Sequence, residues 1–229
     1  MLFTADIDKV AANYGKFNPR GVTQFAWQID NKNLMINLKT FPTRPTQYAL
    51  PLIIIIIAFT FHLFDDQLSS ALIFDREAIA NGDFWRIFTG HFFHTNLNHL
   101  LLNIGACALL WSLHGQFYSL KNYAWLVALS ALGTSAGIYF FSPDIFYYVG
   151  LSGVLHGVFV WGAVKDIQAK EKTGYLLFLG VWLKVAHEQI YGASSDVEAL
   201  ISSNVAIDAH LFGAISGLII VLFSVFKAR

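Results

Sequence analysis

The stretch Leu52-Ile53-Ile54-Ile55-Ile56-Ile57-Ala58 indicates the class of fold, because it lies inside an apolar segment that runs from Tyr48 to about Phe64. An α-helix needs roughly 20 mostly apolar residues to cross a bilayer. Five more apolar segments approach that length, near residues 92–113, 123–141, 150–164, 174–191 and 205–226. Lipid offers no hydrogen bonds to the backbone, so each segment is predicted to be a membrane-spanning helix.

The composition excludes most other classes of protein. Of 229 residues, 55% are hydrophobic and 13% are charged, and the second figure is about half the usual share for a soluble protein. Fifteen basic residues balance fifteen acidic ones, so no positive field points to a nucleic acid partner. The one cysteine, Cys107, excludes an intrachain disulfide. The sequence therefore predicts an integral membrane protein surrounded by lipids.

The distribution of Lys and Arg predicts the orientation of the chain. With the N-terminus in the cytoplasm, the inside segments 1–47, 114–122, 165–173 and the tail after Phe226 hold twelve of the fifteen basic residues. Short cytoplasmic loops are usually the basic ones. We therefore expect an all-α, six-span bundle with both termini inside. Residues 1–47 are expected to form a cytoplasmic extension, and residues 48–229 the six-span domain.

Polar side chains within the spans converge on one depth. The second, fourth and sixth spans run inwards, and the fifth runs outwards. This arrangement puts six polar residues in the outer half of the membrane: His99, Asn103, Ser152, Lys184, Glu188 and His210. Ionisable groups at such depth usually mark functional sites.

Gly150-Leu151-Ser152-Gly153 places a hydroxyl where a loop meets a helix. Free N–H groups at a helix N-terminus can stabilise a developing oxyanion. Packing of small residues is the alternative interpretation of this motif. A nucleophilic serine also needs a base.

His210 is the candidate base, because it shares a helix face with Gly213 and Gly217. The fourth span carries its own glycines at positions 153, 157 and 162, so close packing of the two spans would bring Ser152 to His210. Asp208 does not share the face of His210, which predicts a dyad without a third residue.

His99 and Asn103 are four residues apart and project together, so they can donate hydrogen bonds to an oxyanion or to a neighbouring helix. Metal binding is the rival use of the histidines. His91 and His94 are three residues apart, but His99 turns off their face and no His-Glu-x-x-His motif is present. No metal site and no cofactor are expected.

Three motifs, and the order in which they occur, resemble those of the rhomboid intramembrane serine proteases. They are residues 94–103, Gly150–Gly153, and Ala209-His210 with Gly213 and Gly217. Phe84-Trp85-Arg86 is similar to an element of their first loop. The resemblance implies Ser152 as the nucleophile and His210 as its general base. It also implies His99, Asn103 and the Ser152 N–H as the oxyanion hole. His156 stands where many rhomboids carry a tyrosine that packs on the base.

Residues 182–189 and 150–157 are similar to the rhombosortase subgroup. This resemblance implies substrates anchored in the bacterial inner membrane by a C-terminal Gly-Gly signal, an apolar helix and a basic tail. It also implies an active site facing the periplasm, and transfer of the freed carboxyl to a lipid-derived amine. Lys184 and Glu188 then have two interpretations, a structural ion pair or a contact with the substrate.

Three rival functions stay open at this point. A general rhomboid protease without a sorting role has the same serine and histidine. A silent rhomboid-like protein that binds membrane helices is expected to lack one of them. A small transporter is expected to show an inverted repeat and a polar site at mid-depth.

Overall fold

The computed structural model describes residues 41–226, with side chains described as far as Ser224. Residues 1–40, most of the predicted cytoplasmic extension, lie outside this range. The described chain is mostly helical, and its elements follow in chain order: α1 (Pro45–Leu63), α2 (Asp65–Leu72), β1 (Phe74–Asp75), α3 (Arg76–Ala80), α4 (Arg86–Thr89), α5 (Leu97–His114), α6 (Leu120–Phe141), β2 (Tyr147–Tyr148), α7 (Ser152–Gln168), α8 (Thr173–Tyr191), α9 (Ser195–Ile201) and α10 (Ile207–Phe226).

Capping residues set the helix boundaries. Pro45 opens α1, where its missing N–H costs no hydrogen bond. The Asn96 side chain accepts a hydrogen bond from the His99 N–H and caps α5. Consequently α5 begins at Leu97, later than the predicted start near residue 92, because residues 90–96 form a 3₁₀ turn and an extended cap.

Helix α7 lies at the centre of the bundle and packs against α5, α6, α8 and α10. Val154, Val158 and Val160 on α7 are fully buried. Because neighbouring helices surround it, this helix can carry small and polar residues that a helix facing lipid could not. The nucleophile candidate Ser152 is the first residue of this central helix.

Within the part of the chain that the structure describes, four helices are long and apolar enough to cross a membrane, namely α1, the α5 segment to Phe117, α6 and α10 as far as Ser224. The prediction of a helical membrane protein is thereby confirmed. Among the helices of residues 41–226, α7 is shorter than these four, and α8 is long enough but less apolar. The reason is physical: α7 is short and enclosed by other helices, and α8 carries Lys184, His187 and Glu188.

The segment between α1 and α5 is held in place by two arginines. Arg86 is buried, pairs with Asp83 at 3.0 Å and donates to the carbonyls of Ser70 and Ile73. Arg76 donates to four carbonyls around the end of α6: Ile138, Tyr139, Ser142 and Ile145. The Arg76 guanidinium thereby supplies a donor to the Tyr139 carbonyl, which has none within the helix because residue 143 is proline.

A two-stranded antiparallel sheet joins this segment to the site. Phe74 in β1 pairs with Tyr148 in β2. The Tyr148 hydroxyl donates to the Gly150 carbonyl at 2.7 Å, and burial raises the pKa of Tyr148. The phenol thus stays neutral and fixes the turn that leads into Ser152.

Candidate active site

Ser152 is positioned by a turn that only glycine fits well. Gly150 has φ +122°, a conformation that side chains with a Cβ rarely adopt, and a Cβ there would lie 2.9 Å from the His99 ring. The chain then enters α7 at Ser152 itself, and the preceding residue, Leu151, provides no side-chain cap. The first N–H groups of α7 therefore receive no acceptor from the side chain of the N-cap residue.

His210 reaches this hydroxyl because α7 and α10 pack backbone against backbone. A Cβ on Gly213 would overlap the Gly153 carbonyl oxygen, and one on Gly217 would overlap that of Gly157. The two glycine faces are in close contact at these four positions. Gly162, the third glycine of the predicted stripe on α7, packs against His114 instead.

This packing brings the two predicted catalytic side chains together. His210 Nε2 lies 2.9 Å from Ser152 Oγ, within hydrogen-bond distance. The histidine is only 6% exposed. A buried imidazole at this distance can accept the hydroxyl proton of a serine that attacks a carbonyl carbon.

The opposite ring nitrogen of His210 faces α8. Its Nδ1 lies 2.9 Å from Glu188 Oε2 and 3.1 Å from Lys184 Nζ, while Lys184 and Glu188 form an ion pair at 2.8 Å. Both α8 residues therefore contact the candidate base. The predicted Ser152–His210 dyad did not include a contact between His210 and these two residues. Asp208 accepts a hydrogen bond from the Ser142 hydroxyl instead.

The i,i+4 spacing of Lys184 and Glu188 was the available signal for this cluster. It placed both residues on one face of α8 and in the same membrane layer as His210. The spacing alone gives no information on whether that face meets a substrate or α10. That choice depends on how α8 packs, which is a tertiary property.

His156 lies against the face of the base imidazole. The two rings stack, with centroids 4.2 Å apart and planes inclined by 20°. The His156 Nδ1–H donates to the Ser152 carbonyl at 2.7 Å, and its Nε2 accepts from Lys184 Nζ at 2.8 Å. His156 thus links the nucleophile's backbone to the cluster on α8.

The predicted oxyanion residues border the same site. The His99 ring packs beside Gly150, with Nε2 on that side and Nδ1 facing Thr95. Asn103 is buried and donates to the His99 carbonyl at 3.1 Å, which leaves one amide hydrogen for another acceptor. Together with the α7 N-terminus, these groups can surround a developing negative charge.

Two cavities meet at Ser152. One is polar and is lined by Thr95, His99, Tyr148, Ser152, Ser203 and Asn204. The other is an apolar groove lined by Asn103, Ala106, Leu109, Leu113, Ser152, His156 and Phe159. A hydroxyl at the junction of a polar and an apolar cavity suits a substrate that passes from lipid to water.

The two histidines just before α5, His91 and His94, make no hydrogen bond to Ser152 or His210. His91 contacts the Ala131 carbonyl and Ser135, and burial lowers its pKa to about 4. His94 stacks edge-on against His99. His91 is therefore neutral near pH 7 and ties the turn before α5 to α6.

One group of residues has the donor types of a metal site. His156, Glu188 and His210 present ligand atoms within 4.8 Å of one another. Lys184 Nζ, however, lies within 3.1 Å of an atom of each. The lysine ammonium therefore supplies a positive charge at the position that a cation would need.

Comparisons with known proteins match most of the helices that form this site. Residues 81–226 match the rhomboid domain family. Over 156 residues the chain is 25% identical to a Bacillus subtilis (strain 168) protein named "Putative rhomboid protease YdcA", and the alignment covers 65% of this chain and 71% of that relative. The matched family range includes every helix from α4 to α10.

Proposed function

The chain belongs to the rhomboid family, and from that premise we propose that it is an intramembrane serine protease with Ser152 as nucleophile and His210 as general base. The observation that carries the proposal is the 2.9 Å separation of Ser152 Oγ and His210 Nε2 at the start of α7. A silent helix-binding relative would not need this pair in contact. No cofactor takes part in this chemistry.

The reaction proceeds through an acyl-enzyme. Ser152 Oγ attacks the scissile carbonyl carbon while His210 Nε2 takes the hydroxyl proton, and the carbonyl π electrons move to oxygen. The Ser152 N–H, with His99 and Asn103, stabilises that oxyanion. The C–N bond then breaks as Nε2–H protonates the departing amine. Water or another amine finally attacks the ester and gives a proton to His210, and the acyl–Oγ bond then breaks as Nε2–H returns that proton to Ser152 Oγ.

In the proposed topology, six helices (α1, α5, α6, α7, α8 and α10) cross the bacterial inner membrane with both termini inside. The site then opens towards the periplasm. Support comes from the concentration of Lys and Arg in the inside segments, and from α9, an acidic helix next to the polar cavity. Residues 1–47 belong to the cytoplasmic side in this arrangement.

For the substrate we propose a membrane-anchored protein with a C-terminal Gly-Gly signal, an apolar helix and a basic tail. The likeness of residues 150–157 and 182–189 to rhombosortases supports this choice. Gly-Gly is also physically suitable, since glycine destabilises a helix and exposes the peptide bond to attack. A lipid-derived amine would be the second substrate, which makes the reaction a transfer.

The test is co-expression of the wild-type chain or Ser152→Ala with one of two reporters. The first reporter ends in Gly-Gly, an apolar helix and Arg/Lys, and the second is a generic membrane-helix reporter. Mass spectrometry identifies the released C-terminus. We expect serine-dependent cleavage at Gly-Gly, and an added mass there demonstrates transfer. If only a generic membrane-helix reporter is cut, the sorting role is wrong and a general protease stands. If a correctly inserted chain cuts neither reporter, the protease proposal itself is wrong.

A further inference from the structure

The candidate base has two neighbours at the ring nitrogen that faces away from the serine. Glu188 Oε2 is 2.9 Å and Lys184 Nζ is 3.1 Å from His210 Nδ1. The side chains of Glu188 and His210 are 12% and 8% exposed. Water therefore competes little for the hydrogen bond at Nδ1.

The positions of the protons decide which neighbour can serve catalysis. Ser152 Oγ–H can donate to His210 Nε2 only if Nε2 carries the lone pair, so the neutral ring must hold its proton on Nδ1. The Nδ1–H then needs an acceptor. An ionised Glu188 offers only acceptors, whereas a protonated Lys184 offers only donors.

We propose that Glu188 is a positioning residue that accepts the Nδ1–H hydrogen bond of His210 and completes a Ser152–His210–Glu188 triad. This inference rests on the proposed protease function. It replaces the predicted dyad and gives Glu188 a role other than contact with the substrate. Since the residues lie on α7, α10 and α8, the triad is formed only when all three helices are packed.

Lys184 anchors the carboxylate at the same oxygen, Oε2, that faces His210. Its ammonium donates to Glu188 Oε2 and to His156 Nε2, both at 2.8 Å. The Lys184–Glu188 pair has no net charge, so the positive and negative fields at His210 largely offset each other. Glu188 therefore acts mainly by fixing the orientation and tautomer of the imidazole.

The experiment uses the full chain in detergent micelles and a fluorophosphonate probe, which phosphonylates an activated serine and needs no peptide substrate. The phosphorus–oxygen bond to Ser152 Oγ forms as fluoride leaves, and the serine proton passes to His210. Wild type, Ser152→Ala, His210→Ala and Glu188→Gln are compared. Glu171→Gln, on the exposed turn before α8, is the matched control.

We expect Glu188→Gln to slow labelling by about 10²- to 10⁴-fold, as loss of the carboxylate does in other serine protease triads. Glu171→Gln is expected to label like wild type. Nitrogen-15 NMR of labelled histidine provides the second measurement. The His210 resonances, identified by their loss in His210→Ala, should report Nδ1–H in wild type and Nε2–H in Glu188→Gln.

The outcomes separate the two proposals. If the wild type labels and Glu188→Gln labels at the same rate, the triad is wrong and the protease proposal stands. If Glu188→Gln loses labelling but keeps the Nδ1–H tautomer of His210 and the wild-type unfolding temperature, the proposed role of Glu188 in positioning His210 is wrong. If the folded wild type fails to label at Ser152, the protease proposal fails and the triad fails with it.

Discussion

At the scale of single residues, Lys184 and Glu188 should differ in their effect although they form one ion pair. Glu188 holds the base proton, whereas Lys184, although 3.1 Å from His210 Nδ1, donates its hydrogen bonds to Glu188 and His156. Replacing Lys184 by Met removes an anchor and also removes a positive charge beside the imidazolium. Because these effects oppose each other, we expect Lys184→Met to change probe labelling by less than about tenfold, against at least about a hundredfold for Glu188→Gln.

Lys172→Met serves as the control for this comparison, since Lys172 is exposed at the other end of α8. The second-order rate of fluorophosphonate labelling is measured for wild type, Lys184→Met, Glu188→Gln, Lys172→Met and Ser152→Ala. A Lys184→Met chain that is folded but as inactive as Ser152→Ala would show that lysine is essential. In that case its assignment as an anchor of Glu188 would have to be abandoned.

At the scale of helices, the contact between α7 and α10 determines whether the site exists. Gly213 meets the Gly153 backbone so closely that an alanine Cβ would overlap the carbonyl oxygen. Gly213→Ala must therefore push α10 away from α7, which separates His210 from Ser152. We expect it to lower the free energy of unfolding by about 1–3 kcal/mol and to abolish most labelling.

Gly105→Ala is the matched control, because nothing lies within 4 Å of a Cβ built at this α5 position. Alanine favours a helix by about 1 kcal/mol over glycine, so this variant should be unchanged or slightly more stable. Unfolding is followed by tryptophan fluorescence on heating in detergent. Equal unfolding temperatures for Gly213→Ala and wild type would mean that α7 and α10 are not packed this closely in the folded chain.

At the scale of the whole molecule, the sequence predicted the helices better than their mutual packing. The six predicted apolar segments correspond to helices α1, α5, α6, α7, α8 and α10. They could be predicted because a helix that crosses a bilayer needs a long run of apolar residues. The Gly213 face was also predictable, because small residues imply close packing. The Glu188–His210 contact was not predictable, because the spacing of residues along α8 does not determine which neighbouring helix the Lys184–Glu188 face packs against.

The proposed six-span topology makes a prediction that depends on every helix at once. Cysteines introduced at Asp144 and Asp196 should react with a membrane-impermeant maleimide in cells with a permeabilised outer membrane. Cysteines at Lys121 and Lys172 should react only after the inner membrane is opened. All four residues are exposed, whereas the native Cys107 is 1% exposed, so the unaltered chain is the silent control.

The pair Lys172 and Asp196 is the decisive comparison, because only α8 separates them in the chain. Helix α8 falls short in hydropathy because it carries the cluster that contacts His210, and the other helices must compensate by enclosing that face. Crossing by α8 therefore requires opposite labelling of these two sites. Labelling of both from one side would show that α8 does not span, and the proposed periplasmic opening of the site would be wrong.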